Sequence, residues 1–492
     1  MIRARNFLAL AGLATVVFGS GCTVGPNYKR PTATVPTKWD VAEPWRESAP
    51  QDATPKGQWW AVFRDDDLNA LENEALGGNQ TLKVSIAHLE QARASAAVQV
   101  ATLFPTLATA PSAERQRLSG NRPPNSLVPV TRPVTQNSYS IPFTVNYEVD
   151  LFGRRRRSIE AAQASYQASA ADLESVRLLI TSELAADYFT LRQLDTEIGI
   201  LSRTVDALQK GLQLVDSRHK GGVASGLDVA QEETLLNTTR TQSILLQQQR
   251  KQFEDAIAVL VGQPAPDFHL SPKELNAEPP SLNAGLPSDL LERRPDVAEA
   301  ERQMAVANAE IGIARAAYFP SLNLFANGGW QAADIAKLAN VQSTFWALGA
   351  NVAESIFTGG QRRAQMEFAK AGYDASVASY RQSVLGAFQE VQDSLTGLTV
   401  LDQAKQSQQQ AVDAARRTLD ISNSRYTGGL VNYLDVVTPQ QNLLTNEQEM
   451  AIIQGQRLVT SVLLVKALGG GWDASSLAAL QVKPKLKDVV TP

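Results

Sequence analysis

SRHKGGVASGLDV at 217–229 and SRYTGGLVNYLDV at 424–436 are one motif written twice, 207 residues apart (424 − 217). The Ser-Arg, the Gly pair and the Leu-Asp-Val all align at that offset. Leu260-Val261-Gly262 lies opposite Ala467-Leu468-Gly469 at the same spacing. Upstream, Phe152-Gly153-Arg154-Arg155 resembles the stretch from Phe357 through Gly359-Gly360 to Arg362-Arg363, and Phe104-Pro105 resembles Phe319-Pro320. So many matches in one order describe a chain built from a tandem repeat, whose unit has to be read before any domain count.

Each half carries the same string of elements. Alanine-rich stretches with Gln, Glu and Arg between apolar positions predict helices over 80–104 and 296–319, each stopped by its Phe-Pro. Over 140–151 the odd positions are Ile141, Phe143, Val145, Tyr147, Val149 and Leu151, and the even ones are Ser, Pro, Thr, Asn, Glu and Asp. That period of two, over that length, suits a strand lying between lipid and water. Its partner is expected over 106–118. The second half is expected to repeat the pair at 321–332 and 343–357, with Leu322, Leu324, Trp330, Trp346, Leu348 and Val352 toward lipid. Proline-free stretches at 154–219 and 361–426 predict helices of about 100 Å. The Gly pairs at 221–222 and 428–429 reverse the chain, and shorter helices return over 227–261 and 433–468, with Pro439 inside the second. One short helix stacked on the other would match the long one in length.

Composition narrows the class. The 492 residues carry a net charge of −4, which supplies no field for nucleic acid. One cysteine and three scattered histidines offer neither a disulfide nor a metal or nucleophile constellation, so no catalytic and no metal site is expected. At the N-terminus, Arg3 and Arg5 precede a short apolar run that ends in Gly19-Ser20-Gly21-Cys22. This pattern resembles a lipoprotein signal over 1–21, with Cys22 as the acylated first residue of the mature chain. An ordinary signal peptide is the alternative, since Gly19 stands where leucine is usual. Beyond residue 22 no apolar run is long enough for a membrane helix.

Four strands cannot close a barrel, and an open sheet edge is not tolerated in lipid. Three copies would pool twelve strands into a barrel with a lumen, and twelve rods into a tube beneath it. A trimeric coiled-coil lipoprotein that stiffens the envelope is the competing architecture. It would need sustained heptads of large apolar residues, whereas 161–176 reads AAQASYQASAADLESV.

The chain resembles the outer-membrane factor family of tripartite efflux pumps, TolC/OprM-like and in its lipoprotein branch. The resemblance covers nearly the whole mature sequence. It rests on Cys22-Thr23-Val24-Gly25-Pro26-Asn27-Tyr28, on Trp59-Trp60 with Phe63 and Leu68, on Arg293-Arg294-Pro295-Asp296-Val297, on the Tyr-Phe-Pro at 318–320, and on the Gly-Gly-Gly-Trp at 469–472. It implies a mainly α fold with a membrane β-barrel: a TolC-like homotrimeric channel of 12 strands and a long periplasmic tunnel in the Gram-negative outer membrane. Within each protomer it implies an extended strap over 22–60, repeats over 61–262 and 296–469, an equatorial linker over 263–295 and an equatorial tail over 470–492.

The same resemblance implies partners and sites. A periplasmic adaptor would meet the hairpin tips at Arg218, Gly221, Gly222, Gly428 and Gly429, although reversal of the chain alone would also explain the glycines. An inner-membrane transporter of the resistance-nodulation-division (RND) class would supply energy, since no nucleotide motif is present and no cofactor is expected beyond the lipid on Cys22. Asp420, Asn423, Arg425 and Tyr426 would form the periplasmic gate, with three Asp420 carboxylates converging in a trimer. Arg154, Arg155, Arg156 and Arg157 would contact outer-membrane lipid head groups at the interface. Small toxic molecules such as drugs are the expected cargo. A type I protein-secretion duct, the stiffening rod and a periplasmic hydrolase remain the alternatives at this point.

Overall fold

The computed structural model describes residues 23–32, 35–36, 57–121, 132–280 and 293–483. After a short 3-10 turn at Trp59–Phe63 come α1 (Asp66–Gly78), α2 (Gln80–Ala101), β1 (Thr106–Thr109), β2 (Ser112–Leu118) and β3 (Val134–Val149). Then follow α3 (Arg154–Lys220), α4 (Gly226–Val261), α5 (Pro295–Ala316), β4 (Ser321–Ala332), β5 (Thr344–Ala353), α6 (Gln361–Thr427), α7 (Leu434–Ala467) and the single turn α8 (Ser475–Ala478). Helices α3 and α6 are 67 residues each, or about 100 Å of rod. Among the described residues no helix is long and apolar enough to cross a membrane.

The short helices stack end to end along the long ones, as their summed lengths predict. Helices α2 and α4 both pack along α3, and α5 and α7 along α6. The joints fall at the aligned Leu-Val-Gly and Ala-Leu-Gly. In the first half the Asn79 side-chain amide donates to the Leu260 carbonyl (2.8 Å), and in the second Arg294 Nη1 donates to the Ala467 carbonyl (3.0 Å). Each joint brings backbones together over a glycine: a side chain at Gly262 would strike Gly78, and one at Gly469 would strike Arg293. Small residues do the same between rods, with Ala164, Ala168, Ala170 and Ala171 of α3 and Ala298, Ala305, Ala307 and Ala309 of α5 buried.

The largest core lies at mid-height. Trp59, Trp60 and Phe63 of the 3-10 turn and Leu68, Leu71 and Ala75 of α1 pack on Leu184, Tyr188 and Phe189 near the middle of α3. They also reach Ile257 and Val261 of α4 and Leu458 and Val462 of α7. Removing a large buried side chain here would cost about 2–5 kcal/mol. The linker after α4 is tied to both halves. The Lys273 amide donates to Asp195 of α3 (3.1 Å), and Glu278 bridges Lys405 of α6 (2.6 Å) and Arg457 of α7 (2.9 Å).

One antiparallel sheet runs in the order β1/β2–β3–β4–β5. The segment expected as one strand over 106–118 is two strands in one register, interrupted at Ala110 and Pro111. Pro111 has no N–H to offer the ladder, and Pro142 stands across the gap. Strand β3 starts at Val134, earlier than the alternation showed, and β5 stops at Ala353 rather than 357. The two preceding helices end at Ala101 and Ala316, and tight i→i−3 turns carry the chain on to Phe104 and Phe319.

Candidate functional site

Register sorts the strand residues into two faces. Phe143 lies opposite Gly328, Val145 opposite Ala326 and Leu107, Tyr147 opposite Leu324, and Leu324 opposite Ala350. One face therefore carries Leu107, Ile141, Phe143, Val145, Val149, Leu322, Leu324, Trp330, Trp346, Leu348 and Val352 across β1, β3, β4 and β5, and turns polar where β2 pairs the start of β3, with Arg115 and Arg117 opposite Asn137 and Thr135. The other carries Thr106, Ser140, Thr144, Asn146, Glu148, Asn323, Asn327, Gln331 and Asn351, with Leu118, Val134, Phe325 and Phe345 as exceptions. Phe325 lies with its ring over Gly349, filling the space of the missing side chain. On the apolar face Trp346, Leu348 and Val352 stand bare to the surroundings, at 78%, 74% and 67% exposure. Both outer edges of the sheet, β1/β2 and β5, lack a partner strand among the described residues.

At the opposite end the two hairpins reverse by identical caps. Val223 N–H donates to the Arg218 carbonyl (2.9 Å) and Gly222 N–H to His219 (2.8 Å); 207 residues on, Leu430 N–H donates to Arg425 (2.9 Å) and Gly429 N–H to Tyr426 (3.0 Å). This is the Schellman closure, and it places Gly222 and Gly429 at φ +75 and +70°, where a side chain is strained. Gly221 and Gly428 have ordinary negative φ and only ordinary contacts around a notional Cβ. Neither backbone conformation nor room inside the protomer requires glycine there. The Asp228 carboxylate accepts the Ser225 N–H (2.9 Å), and Asp435 accepts that of Asn432 (3.1 Å). Four apolar side chains that sequence reasoning missed crown these tips: Val223, Leu227, Leu430 and Leu434, between 54% and 73% exposed. They fall in pairs at the repeat offset, which was their signal.

The expected gate residues separate. Asp420, Asn423 and Arg425 are exposed on α6, whereas Tyr426 is buried. Tyr426 packs edge-on to Tyr433 at 5.1 Å, and the Arg218 guanidinium lies over its ring at 4.6 Å. The Tyr426 hydroxyl has no hydrogen-bond partner, and the contact to the neighbouring long helix runs through the ring face. Arg218, expected to meet an adaptor, is thus also one of the residues that link the two hairpins, beside Val215 packed with Tyr426, Tyr433 and Val436.

The arginine run divides as well. Arg154 and Arg155 both pair with Glu148 (2.7 Å each), and Arg156 with Asp150 (3.2 Å). Asp150 also accepts the N–H groups of Arg155 (3.2 Å) and Arg156 (2.9 Å), which supplies the negative charge that the start of α3 wants. Arg157 corrects the interface expectation: its side chain is only 3% exposed and cannot reach a head group. It donates to Asn27 Oδ1 (2.8 Å), to the carbonyls of Val24 and Gly25 (3.4 Å each) and to Glu160 (2.6 Å). From there the strap descends α5. Gly25 lies against Gly312, the Pro26 carbonyl accepts from Asn308 (3.2 Å), and Tyr28 donates to Glu301 (3.0 Å). Arg30 then reaches the Tyr380 hydroxyl of α6 (3.3 Å). Cys22 lies outside the described residues, which resume at Thr23 against Gly153.

Residues 71–263 and 286–470 match the outer membrane efflux protein family. The toluene efflux pump outer membrane protein TtgF of Pseudomonas putida is 33% identical over 94% of this chain and 96% of its own. The pyoverdine export outer membrane protein OpmQ of Pseudomonas aeruginosa is 34% identical over 89% and 92%. Among solved structures, the outer-membrane channel OprN superposes with a TM-score of 0.85 at 29% identity, over 92% of this chain and all of that one. The chain belongs to the outer membrane efflux protein family and is an outer-membrane efflux channel of the TolC-like fold, with a long helical portion in the Gram-negative periplasm.

Proposed function

We propose that three copies of this chain form a passive exit duct, without catalytic activity, for small toxic molecules driven out by an RND-type inner-membrane transporter. The carrying observation is the sheet: an apolar band on one face of β1, β3, β4 and β5, and two edges unpaired among the described residues of a single protomer. In lipid such edges have to be closed, and joining β5 of one copy to β1/β2 of the next closes twelve strands around a polar lumen. The long hairpins would then line one tube. Relatives that export toluene and pyoverdine support a cargo of small organic molecules.

A periplasmic adaptor would dock on the tips. Gly221 and Gly428, unexplained within the protomer, would admit its close approach, and Val223, Leu227, Leu430 and Leu434 would be the apolar surface it covers. Exposed Asp420 would line the entrance with Asn423 and Arg425, while Tyr426 and Arg218 would hold it closed. An acyl chain on Cys22 would add an anchor beside the sheet, because the strap begins at the strand–helix junction. Arg154, Arg155 and Arg156 would stand near the head groups there, their charge largely answered by Glu148 and Asp150.

The test is purification in mild detergent, imaging and reconstitution into planar bilayers. A hollow threefold particle that conducts ions is expected. A monomer that leaves bilayers impermeable would overturn the proposal.

A further inference from the structure

Glu232 sits in the second turn of α4, near the tips, and is fully buried. Neither of its carboxylate oxygens has a hydrogen-bond partner, and among the described residues no ion pair reaches it. Burying a carboxylate without a partner is costly, so such a group takes up a proton instead. Burial indeed pushes the Glu232 carboxyl up from its ordinary range, moderated by the Tyr433 phenol, which stands nearby without making a well-formed hydrogen bond.

The surroundings are specific. Gly211 of α3 faces the carboxyl, and any side chain there would run into it. A glycine inside a helix costs about 1 kcal/mol, and neither φ nor a turn calls for one at this place. Room for Glu232 does. Tyr433, at the start of α7, closes the other side, and behind it Tyr426 of α6 carries the Arg218 guanidinium of α3. The charged and titratable groups around Glu232 are therefore Tyr433, Tyr426, Asp228 of its own helix and Arg218. Asp228 is engaged by the Ser225 N–H, and Arg218 by the tyrosine ring. The carboxyl thus lies in the seam between the α3–α4 hairpin and the α6–α7 hairpin. Each protomer has one such site: 207 residues on, Pro439 replaces Glu232 and Thr418 replaces Gly211.

We propose that Glu232 is a proton-operated lock between the two hairpins, neutral while they are packed together and ionised when they part. This rests on the tips being the channel mouth. Parting the hairpins hydrates the carboxyl and lets its proton go, so rising pH favours the open mouth. Each pH unit by which the closed state holds that proton more tightly than the open state changes the closed-to-open ratio by about tenfold.

The experiment is single-channel recording of the purified full-length protein in planar bilayers between about pH 5 and pH 9. Wild type should open more as pH rises. Glu232→Gln and Glu232→Leu, both permanently neutral, should stay at the low-pH level throughout, while Glu233→Gln, at the exposed carboxylate next along the same helix, should keep the wild-type response. A response unchanged in Glu232→Gln, or abolished in Glu233→Gln, overturns the lock, as does a wild type that conducts with no response to pH. A wild type that conducts at no pH overturns the channel proposal instead.

Discussion

Truncating Arg157 to alanine should free the N-terminal strap from the head of α3 while leaving the tunnel intact. The guanidinium makes four polar contacts from an almost fully buried position. The bond to Asn27 at 2.8 Å is charge-assisted and close, worth about 1.5–3 kcal/mol. The two carbonyl contacts at 3.4 Å are long and add little. The Glu160 pair, with its carboxylate 39% exposed, is largely screened and does not hold the strap. The arginine stem also covers Gly312, so packing is lost with the charge. Together the strap should lose about 2–4 kcal/mol, a 30- to 1000-fold rise in its opening equilibrium. Hydrogen exchange reads this at the Val24 amide, which donates to the Phe152 carbonyl (3.1 Å) and is protected only while the strap is docked. Arg157→Lys should recover part of the protection, since an ammonium cannot fork between Asn27 and two carbonyls. Arg156→Ala, next in sequence but paired with Asp150, should leave Val24 unchanged. Equal exchange in wild type and Arg157→Ala, or equal loss in both alanine variants, would refute the clamp.

Other consequences follow from the same geometry. Leu348→Arg places a cation on the apolar face and should cost about 2–4 kcal/mol at mid-membrane, seen as failed membrane insertion, whereas Ala347→Arg on the polar face should insert normally. Alanine at Gly222 or Gly429 should lower the thermal midpoint through about 1–2 kcal/mol of left-handed strain. A bulky residue at Gly221 or Gly428 should spare the midpoint and abolish drug-resistance complementation. Glu72 is fully buried without a hydrogen-bond partner, and burial raises its carboxyl from 4.5 to about 9. The folded state therefore binds a proton that the unfolded state releases. Stability should be full below about pH 4.5, fall by about 1.4 kcal/mol per unit above it, and level off beyond about 9. Glu72→Gln should flatten that slope in denaturant titrations at several pH values.

Much of this was legible because the repeat and the periods are local. The proline-free runs predicted α3 and α6 to within a residue at each end, and the alternation over 140–151 predicted which residues of β3 share the apolar face. The break at Pro111 was legible in principle, since its missing N–H falls within an expected strand. The fate of the arginine run was not. Four identical residues carry no mark of which one the helix turns inward, and what buries Arg157 is a segment 130 residues earlier in the chain. Glu232 and Tyr433 were invisible for the same reason: each looks like an ordinary helix-start residue until two hairpins are laid together.

A duplicated chain separates two kinds of information. Where the halves agree, they encode path: rod lengths, Gly-capped reversals and glycine joints recur because each half has to span the same height. Where they differ at aligned positions, the path is unchanged and only chemistry varies. The contact between positions 219 and 226 in the first hairpin is His219 against Gly226; its counterpart in the second is Tyr426 against Tyr433. The geometry is shared, but only the second pair makes a broad aromatic wall, and only there does a buried carboxyl from the other hairpin come to rest. Gln213 against Asp420 is the same kind of difference on the exposed side. The tyrosine wall and the carboxyl of the proposed lock thus sit where the two copies diverge, although Arg218, which stacks on that wall, is matched by Arg425; giving the second half the residues of the first, Tyr426→His with Tyr433→Gly, should remove the coupling without shortening a rod or moving a strand.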